Sequence, residues 1–238
     1  MSSEDLTAVF VPGTHVSPDS FGDVPVPARC TGIGAAWMEH ARPCTLLNAA
    51  QYAVDLAQGE PCVVVGHSTG GAIAATAAFA FPDQVRGLLL IDSGPDMRGH
   101  TAVASMLEEL SDPVQDEVLI RHARRNVPAG SPEAWIDAMV DYARRVGGDV
   151  AAEVLADQAA TDLRTHGTLP RLPVEVFHGG LDPKRSPDDA AAWRDVFPRA
   201  RVVVDEAVGH TPQLEAPLAV GAALDRLIER VRSAGLPG

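Results

Sequence analysis

The sequence predicts an α/β fold, a mostly parallel sheet covered on both faces by helices. Three observations carry this. Largely apolar runs recur at residues 6–11, 62–65, 85–91 and 173–177, broken only by Thr7, Arg86 and Glu175, as expected of strands buried on both faces. Stretches with helical periodicity separate several of them. One strand passes through a glycine-flanked corner, Gly66-His67-Ser68-Thr69-Gly70, straight into an Ala-rich segment of strong helix propensity.

Each element follows in order. Residues 6–11 form a first strand, broken by Pro12-Gly13-Thr14-His15. Residues 16–34 are rich in Pro, Gly, Ser and Asp and read as a long loop with a short strand near 24–26. A short helix is expected at 35–41. A longer one is expected at 45–58, with Leu46, Leu47, Ala50, Val54, Leu56 and Ala57 on one apolar face and Gly59 as the stop. The central strand, the corner and a helix over 71–81 come next. Pro82-Asp83 ends that helix, and residues 85–91 form another strand, closed by Asp92-Ser93-Gly94-Pro95.

Residues 96–168 change character. Helices are expected at roughly 99–111, 113–126, 132–146 and 149–164, with no strand pattern among them. This reads as a helical cap (lid) inserted into a core made of 1–95 and 169–238. The sheet resumes at 173–177, followed by His178-Gly179-Gly180-Leu181-Asp182. A helix over 186–196, a last strand over 201–205, the loop Gly209-His210-Thr211-Pro212 and an amphipathic helix from about 217 to 232 complete the chain.

Composition narrows the functional classes. The 238 residues suffice for one large domain with an insertion, and 46% are hydrophobic, enough for a substantial core. A formal net charge of −13 disfavours nucleic-acid and anionic-membrane partners. No apolar run approaches the ~20 residues that cross a bilayer. Met1-Ser2-Ser3-Glu4-Asp5 carries no secretory signal, so a cytoplasmic protein is expected. Cys30, Cys44 and Cys62 are odd in number and lack CxxC spacing, which fits buried small residues in a reducing compartment. There is no zinc-site spacing, Walker loop or dinucleotide fingerprint; Gly32-Ile33-Gly34 lacks the rest of that pattern. No metal or organic cofactor is expected, and the partner is a small-molecule substrate. The oligomeric state has no signature in the sequence.

Strand, sharp turn and helix around Gly-x-Ser-x-Gly form the context of a nucleophile elbow. Ser68 is expected in a strained conformation at the carboxyl edge of the sheet, above a helix N-terminus that favours negative charge. A serine hydroxyl needs a base, and the base needs an orienting carboxylate. Asp182 and His210 each follow a strand end, so parallel strands bring them toward Ser68. Asp92, after the strand next to the elbow, is the alternative acid. His67 is expected to support the elbow, and His178 to pack at its strand end. The Thr69 and Thr14 N–H groups are the expected oxyanion donors, Gly13 letting the chain turn close to a substrate carbonyl. His15 has two open readings, substrate contact or ordinary surface residue.

Trp135, Met139 and Tyr142 recur at helical spacing; a packed helix face is the preferred reading, a pocket wall the other, and Trp37 and Met38 are treated likewise. Arg121, Arg124, Arg125, Arg144 and Arg145 read as a solvated face paired with local acids rather than as receptors for an anionic substrate.

Three segments, Gly66-His67-Ser68-Thr69-Gly70-Gly71, His178-Gly179-Gly180-Leu181-Asp182 and Gly209-His210-Thr211-Pro212-Gln213-Leu214-Glu215-Ala216-Pro217, resemble the α/β-hydrolase superfamily, its lidded small-molecule members in particular. The resemblance runs from about residue 6 to the end. It implies an α/β-hydrolase fold, a Ser68–Asp182–His210 triad, a two-donor oxyanion hole and a helical cap. The chain departs from the family by lacking the usual opening strands, by Pro12-Gly13 in place of His-Gly, and by a short span between the oxyanion loop and the elbow. A reduced sheet of about six strands is therefore expected.

The leading functional expectation is a serine hydrolase cleaving a small ester, thioester or lactone through an acyl-enzyme on Ser68. The alternative is cofactor-free, non-hydrolytic chemistry on the same fold: a dioxygenase using a His–Asp pair with Asp92, a C–C bond hydrolase or lyase, or a cyclase of secondary metabolism. Hydroxynitrile lyases generally place a lysine beside the base, where this chain has Thr211. A ligand-binding protein without turnover is the third class. The Ala- and Arg-rich composition is compatible with a high-GC bacterium.

Overall fold

Six strands, all parallel, run in the order β2-β1-β3-β4-β5-β6 in the computed structural model, which describes residues 6–97, 107–110 and 115–234. They are β1 (Leu6–Val11), β2 (Cys30–Gly34), β3 (Cys62–His67), β4 (Val85–Ile91), β5 (Val174–Gly179) and β6 (Arg201–Asp205). Side chains alternate between two cores with the period of two that a pleated strand imposes. Val9, Val11, Val64, Leu88, Leu90 and Val176 enter one core, packed against α1 (Trp37–His40), α2 (Leu46–Asp55) and α3 (Thr69–Ala80). Phe10, Val63, Val65, Leu89, Ile91 and Phe177 enter the other, beneath the C-terminal helix, Pro217–Ser233.

The second strand departs from expectation. It lies at Cys30–Gly34, not at 24–26. Pro25 and Pro27 offer no N–H to a ladder, whereas residues 30–34 pair with Leu6–Phe10. As a half-exposed edge strand it needs no apolar run, so hydropathy does not mark it. Its glycines serve close packing: a Cβ on Gly32 would stand 2.9 Å from the Phe10 ring.

Helix α2 is capped by Thr45, whose hydroxyl accepts the Asn48 N–H at 3.2 Å. Leu46, Ala49, Ala50, Ala53 and Val54 are buried, but Leu47 points outward and is 52% exposed, so it is not on the apolar face. The helix expected over 186–196 is shorter: α7 (Pro187–Ala191) gives way to a 3-10 turn at Ala192–Asp195. That turn seats Trp193 in the core, with its indole N–H donating to the Ser93 carbonyl at 3.0 Å.

The span 96–168 divides physically. Much of the first expected helix lies outside the described residues. Helices α4 (Asp116–Arg124) and α5 (Glu133–Val146) share a small core of Leu119, Ala123, Ile136, Met139 and Val140 with Val16. Helix α6 (Gly148–Ala160) instead joins the main core through Ala151, Val154 and Leu155. Its Glu153 and Asp157 carboxylates accept the Cys44 and Leu46 N–H groups at 2.7 Å, holding the start of α2. Cys30, Cys44 and Cys62 are all free, and Cys30 is only half-buried. Burial pushes the Cys62 thiol up to about 12 and Cys44 to about 11, leaving both as apolar filler. No helix among the described residues is long and apolar enough to cross a membrane.

Candidate active site

The corner after β3 is crowded. A Cβ on Gly66 would stand 2.1 Å from the Gly70 carbonyl oxygen, and one on Gly70 2.0 Å from the Val11 oxygen. Both positions therefore require glycine. Between them Ser68 adopts φ 55°, ψ −118°, a strained conformation for a residue with a side chain. The Ser68 N–H extends the β3–β4 ladder by donating to Ile91 C=O at 2.8 Å. Thr69 opens α3, in the first turn where the helix offers no acceptor for its own N–H groups.

Two loops reach this corner. His210 precedes α8 (Pro212–Glu215) and is almost fully buried. Its Nδ1–H donates to Asp182 Oδ2 at 2.6 Å, which leaves Nε2 as an acceptor 3.2 Å from Ser68 Oγ. Asp182 Oδ1 accepts the N–H groups of Lys184 at 2.7 Å and Arg185 at 3.1 Å. Burial alone would raise the Asp182 carboxyl. The hydrogen bond and charge of His210, with those two N–H groups, hold it below the usual carboxylate range. Burial depresses His210 to about 4 despite the carboxylate beside it, so its ring is neutral at pH 7.

Glu215 explains the glutamate in the C-terminal signature. Its carboxylate accepts the Gly209 N–H at 2.6 Å and the Thr211 N–H at 2.9 Å, clamping the backbone on both sides of His210. This buttress was not singled out in the sequence, although the Glu five positions after a loop histidine was its signal. His67 Nε2–H donates to the His210 carbonyl at 2.7 Å, and burial lowers its pKa to about 3. It braces the His210 loop from below.

The alternative acid, Asp92, lies elsewhere. It is fully buried at φ 43°. Its Oδ1 accepts the Gly179 N–H and lies 2.8 Å from His178 Nδ1, while Oδ2 has no partner among the described residues. Burial, with the Asp182 charge adding to it, pushes Asp92 up to about 7 against those two contacts. Asp92, His178 and Asp182 bring potential ligand atoms within 4.8 Å of one another. The oxygens of Asp182 are already committed to His210, Lys184 and Arg185, so the trio is poorly disposed to hold a cation.

The first-strand loop closes the other side. A Cβ on Gly13 would be 3.0 Å from Ser68 Cβ, so the chain passes directly over the serine. Thr14 Oγ1 donates to Thr69 Oγ1 at 3.0 Å. Trp37 and Met38 are fully buried behind this loop and brace it rather than line a pocket: the indole N–H donates to the Pro12 carbonyl at 2.9 Å, and Met38 Sδ accepts the His15 N–H at 3.2 Å.

A cavity of about 490 Å³ opens between these loops and helices α4–α6. Ser68, Thr14, Thr69, His15, His210 and Met139 line it. His15 is buried, not a surface residue, and burial lowers its pKa to about 4. Trp135 and Tyr142 do not line the cavity. Tyr142 is turned three residues along α5 from Met139 into the main core, with the Arg145 guanidinium 5.0 Å from its ring centre. Of the five arginines noted in the sequence, Arg121, Arg124, Arg144 and Arg145 pair with Glu109, Glu133, Asp116 and Glu39 at 2.9–3.3 Å. Arg125 departs from the acid-paired reading preferred for the group and lines the cavity, with Lys184, Arg185 and Asn126, three residues to which the sequence assigns no site role.

A family model described as the alpha/beta hydrolase family matches residues 8–223. The chain belongs to the alpha/beta hydrolase family. Among solved structures this α/β hydrolase is similar to a hydrolase from Oleispira antarctica (15% identity, TM-score 0.80, covering 94% of this chain and 91% of that one). It is similar to an enol-lactonase from Burkholderia xenovorans LB400 (13%, 0.77, 96% and 92%) and to a malate-bound thermophilic esterase from Thermogutta terrifontis (18%, 0.73, 95% and 90%). At these identities the likeness is one of fold. No curated protein matches the sequence.

Proposed function

We propose that this α/β hydrolase is a serine hydrolase that cleaves a small ester, thioester or lactone through an acyl-enzyme. The observation that carries the reading is the continuous path from Ser68 Oγ to His210 Nε2 (3.2 Å) and from His210 Nδ1 to Asp182 (2.6 Å), set on a strained corner in the wall of a cavity. The neutral imidazole takes the hydroxyl proton as Oγ attacks the substrate carbonyl. Asp182 holds the tautomer and stabilises the imidazolium that forms. The Thr69 and Thr14 N–H groups are the oxyanion donors in this reading; the hydroxyl contact between the two threonines keeps their segments together. The imidazolium returns the proton to the leaving alkoxide or thiolate, or to the ring oxygen of a lactone. Water, deprotonated by the same ring, then releases the acid.

Helices α4 and α5 act as the cap over this cavity. The esterase and enol-lactonase among the structural neighbours make carboxylic esters and lactones the reasonable first substrates. Three free cysteines suit a reducing compartment, in keeping with a cytoplasmic enzyme.

A fluorophosphonate probe tests the reading. The wild-type protein should be labelled on Ser68, with esterase turnover abolished in step. Ser68→Ala should lose both labelling and turnover. A wild-type protein that resists the probe and leaves p-nitrophenyl esters and lactones intact would sink it.

A further inference from the structure

We propose that the substrate carries a carboxylate, held between Lys184 and Arg125 on the wall of the cavity; this names the substrate class for the hydrolase reading above and rests on it. The chain as a whole is strongly acidic, at −13, yet no carboxylate lines the cavity among the described residues. Three permanent or near-permanent cations do: Arg125, Lys184 and Arg185.

They are not equivalent. Arg185 is committed, donating to the Asp96 carbonyl at 2.8 Å and to Met97 Sδ at 2.9 Å, with the Asp189 carboxylate 3.6 Å away. Arg125 has no ion pair among the described residues, unlike the four other arginines of α4 and α5 described above. The Lys184 ammonium donates to the Asn126 side-chain carbonyl, a neutral acceptor, which leaves donor capacity free. Lys184 is also the only lysine in a chain whose 19 basic residues are otherwise all arginine.

The remaining titratable groups do not neutralise this pair. His15, His67 and His210 have pKa values of about 3 to 4, so they are uncharged at neutral pH. His122, which also lines the cavity, is lowered by burial and contacts Glu109 at 2.9 Å, a carboxylate that is not part of the lining. Asp182 lies close to Lys184 but spends its oxygens on His210 and two backbone N–H groups. Burial lowers the Lys184 ammonium to about 8 against the charge of Asp182, which raises it, and the Arg125 charge adds to the lowering. Two cations held near each other on a half-buried wall are costly, and an anion between them removes that cost. A carboxylate suits the space: about 490 Å³ takes a small molecule with one polar end and an acyl group.

The test compares p-nitrophenyl hydrogen glutarate with its neutral methyl ester, p-nitrophenyl methyl glutarate. For the wild-type protein kcat/KM should favour the anionic ester by about tenfold or more, mostly through KM. Lys184→Gln and Arg125→Gln should each shrink the ratio several-fold, the double variant should bring it near one, and Lys184→Arg should keep most of it. Arg125 is exposed, so its variant keeps the test usable if Lys184→Gln fails to fold. Calorimetry on Ser68→Ala with monomethyl glutarate and dimethyl glutarate gives a readout free of turnover, and the monoanion should bind at least tenfold tighter. Turnover of both esters with no anionic preference overturns the subsite and leaves the hydrolase reading standing. Tight binding of the monoanion, lost in the double variant, with neither ester hydrolysed supports the subsite and overturns the reaction. Neither turnover nor anion binding overturns both.

Discussion

Two strand-end loops offer an acid to the same corner, and they differ in what their backbones provide. After β5 the chain turns so that the N–H groups of Lys184 and Arg185 converge on Asp182, and His210 occupies the other oxygen. After β4 the carboxylate of Asp92 is buried completely, with one N–H, one imidazole contact and one oxygen orphaned among the described residues. Donors hold Asp182 ionised; burial keeps Asp92 near neutrality up to about pH 7. Two acids one strand apart are thus given opposite electrostatic states, burial winning at Asp92 and the His210 contact, with two N–H groups, winning at Asp182.

The largest effect that could break this comparison is on turnover. Asp182→Asn should lower kcat/KM by about 10³–10⁴-fold, because the amide presents the wrong partner to His210 Nδ1. Asp92→Asn replaces a largely neutral carboxyl by a neutral amide of the same shape, and should cost less than about tenfold. A reversed order in steady-state assays would make Asp92 the orienting acid. Next in size is the pH dependence of stability. Between pH 6.5 and about 4 the unfolded chain binds protons at His15, His67 and His210 that the folded chain excludes, so these groups lower stability as pH falls. Asp92 has the opposite sign, because its raised folded pKa stabilises below the unfolded value and loses that contribution as pH rises through about 7. Near pH 5.5 the balance is about two protons, a slope of at most ~3 kcal/mol per pH unit from these groups. Asp92→Asn removes the offset and should steepen the fall of the thermal midpoint on acidification. An unchanged or shallower slope would contradict a neutral Asp92.

Much of this architecture could be read from residue pattern, and the exceptions share a cause. Strands β1 and β4 fall on their expected residues because both faces of each are buried, which writes a largely apolar run, broken only by Thr7 and Arg86. Strand β2 is an edge strand whose pairing is carried by backbone and whose glycines answer to Phe10 and Pro18, so hydropathy is silent there. The corner was legible because steric crowding admits only glycine at 66 and 70. Position after a strand end brought forward Asp182 and, as its rival, Asp92. Part of what distinguishes them, beside the His210 contact, is a pair of backbone N–H groups, which every residue carries and no pattern reveals. Lys184 and Arg125 were obscured differently: Arg125, just past the end of α4, lines the cavity while Arg121 and Arg124 pair with acids, and spacing alone does not separate them.

A smaller effect tests the electrostatics of the base itself. Burial outweighs Asp182 at His210, so the acidic limb of kcat/KM should be centred near pH 4, well below the ordinary imidazole value of 6.5. Since Asp92 is neutral over that range, Asp92→Asn should leave the limb almost unmoved. A limb at or above pH 6.5 would mean that the carboxylate, not desolvation, governs the ring.

The smallest effect concerns Lys184, two residues beyond Asp182. Its ammonium, lowered to about 8 by burial against the charge of Asp182, with Arg125 adding to the lowering, is charged at pH 7 and largely neutral by pH 9. A guanidinium does not titrate in this range. The preference for the anionic ester over its neutral partner should therefore fall several-fold between pH 7 and 9 and level off at the value that Arg125 alone sustains. Taking the ratio of two esters at each pH, after the uncatalysed rate of each has been subtracted, cancels the titration of His210, which acts on both alike. In Lys184→Gln the ratio should be low and flat across the same range, and in Lys184→Arg high and flat. A wild-type ratio that stays level through pH 9 would place the carboxylate beyond the reach of this ammonium, and would separate the acid loop from substrate choice.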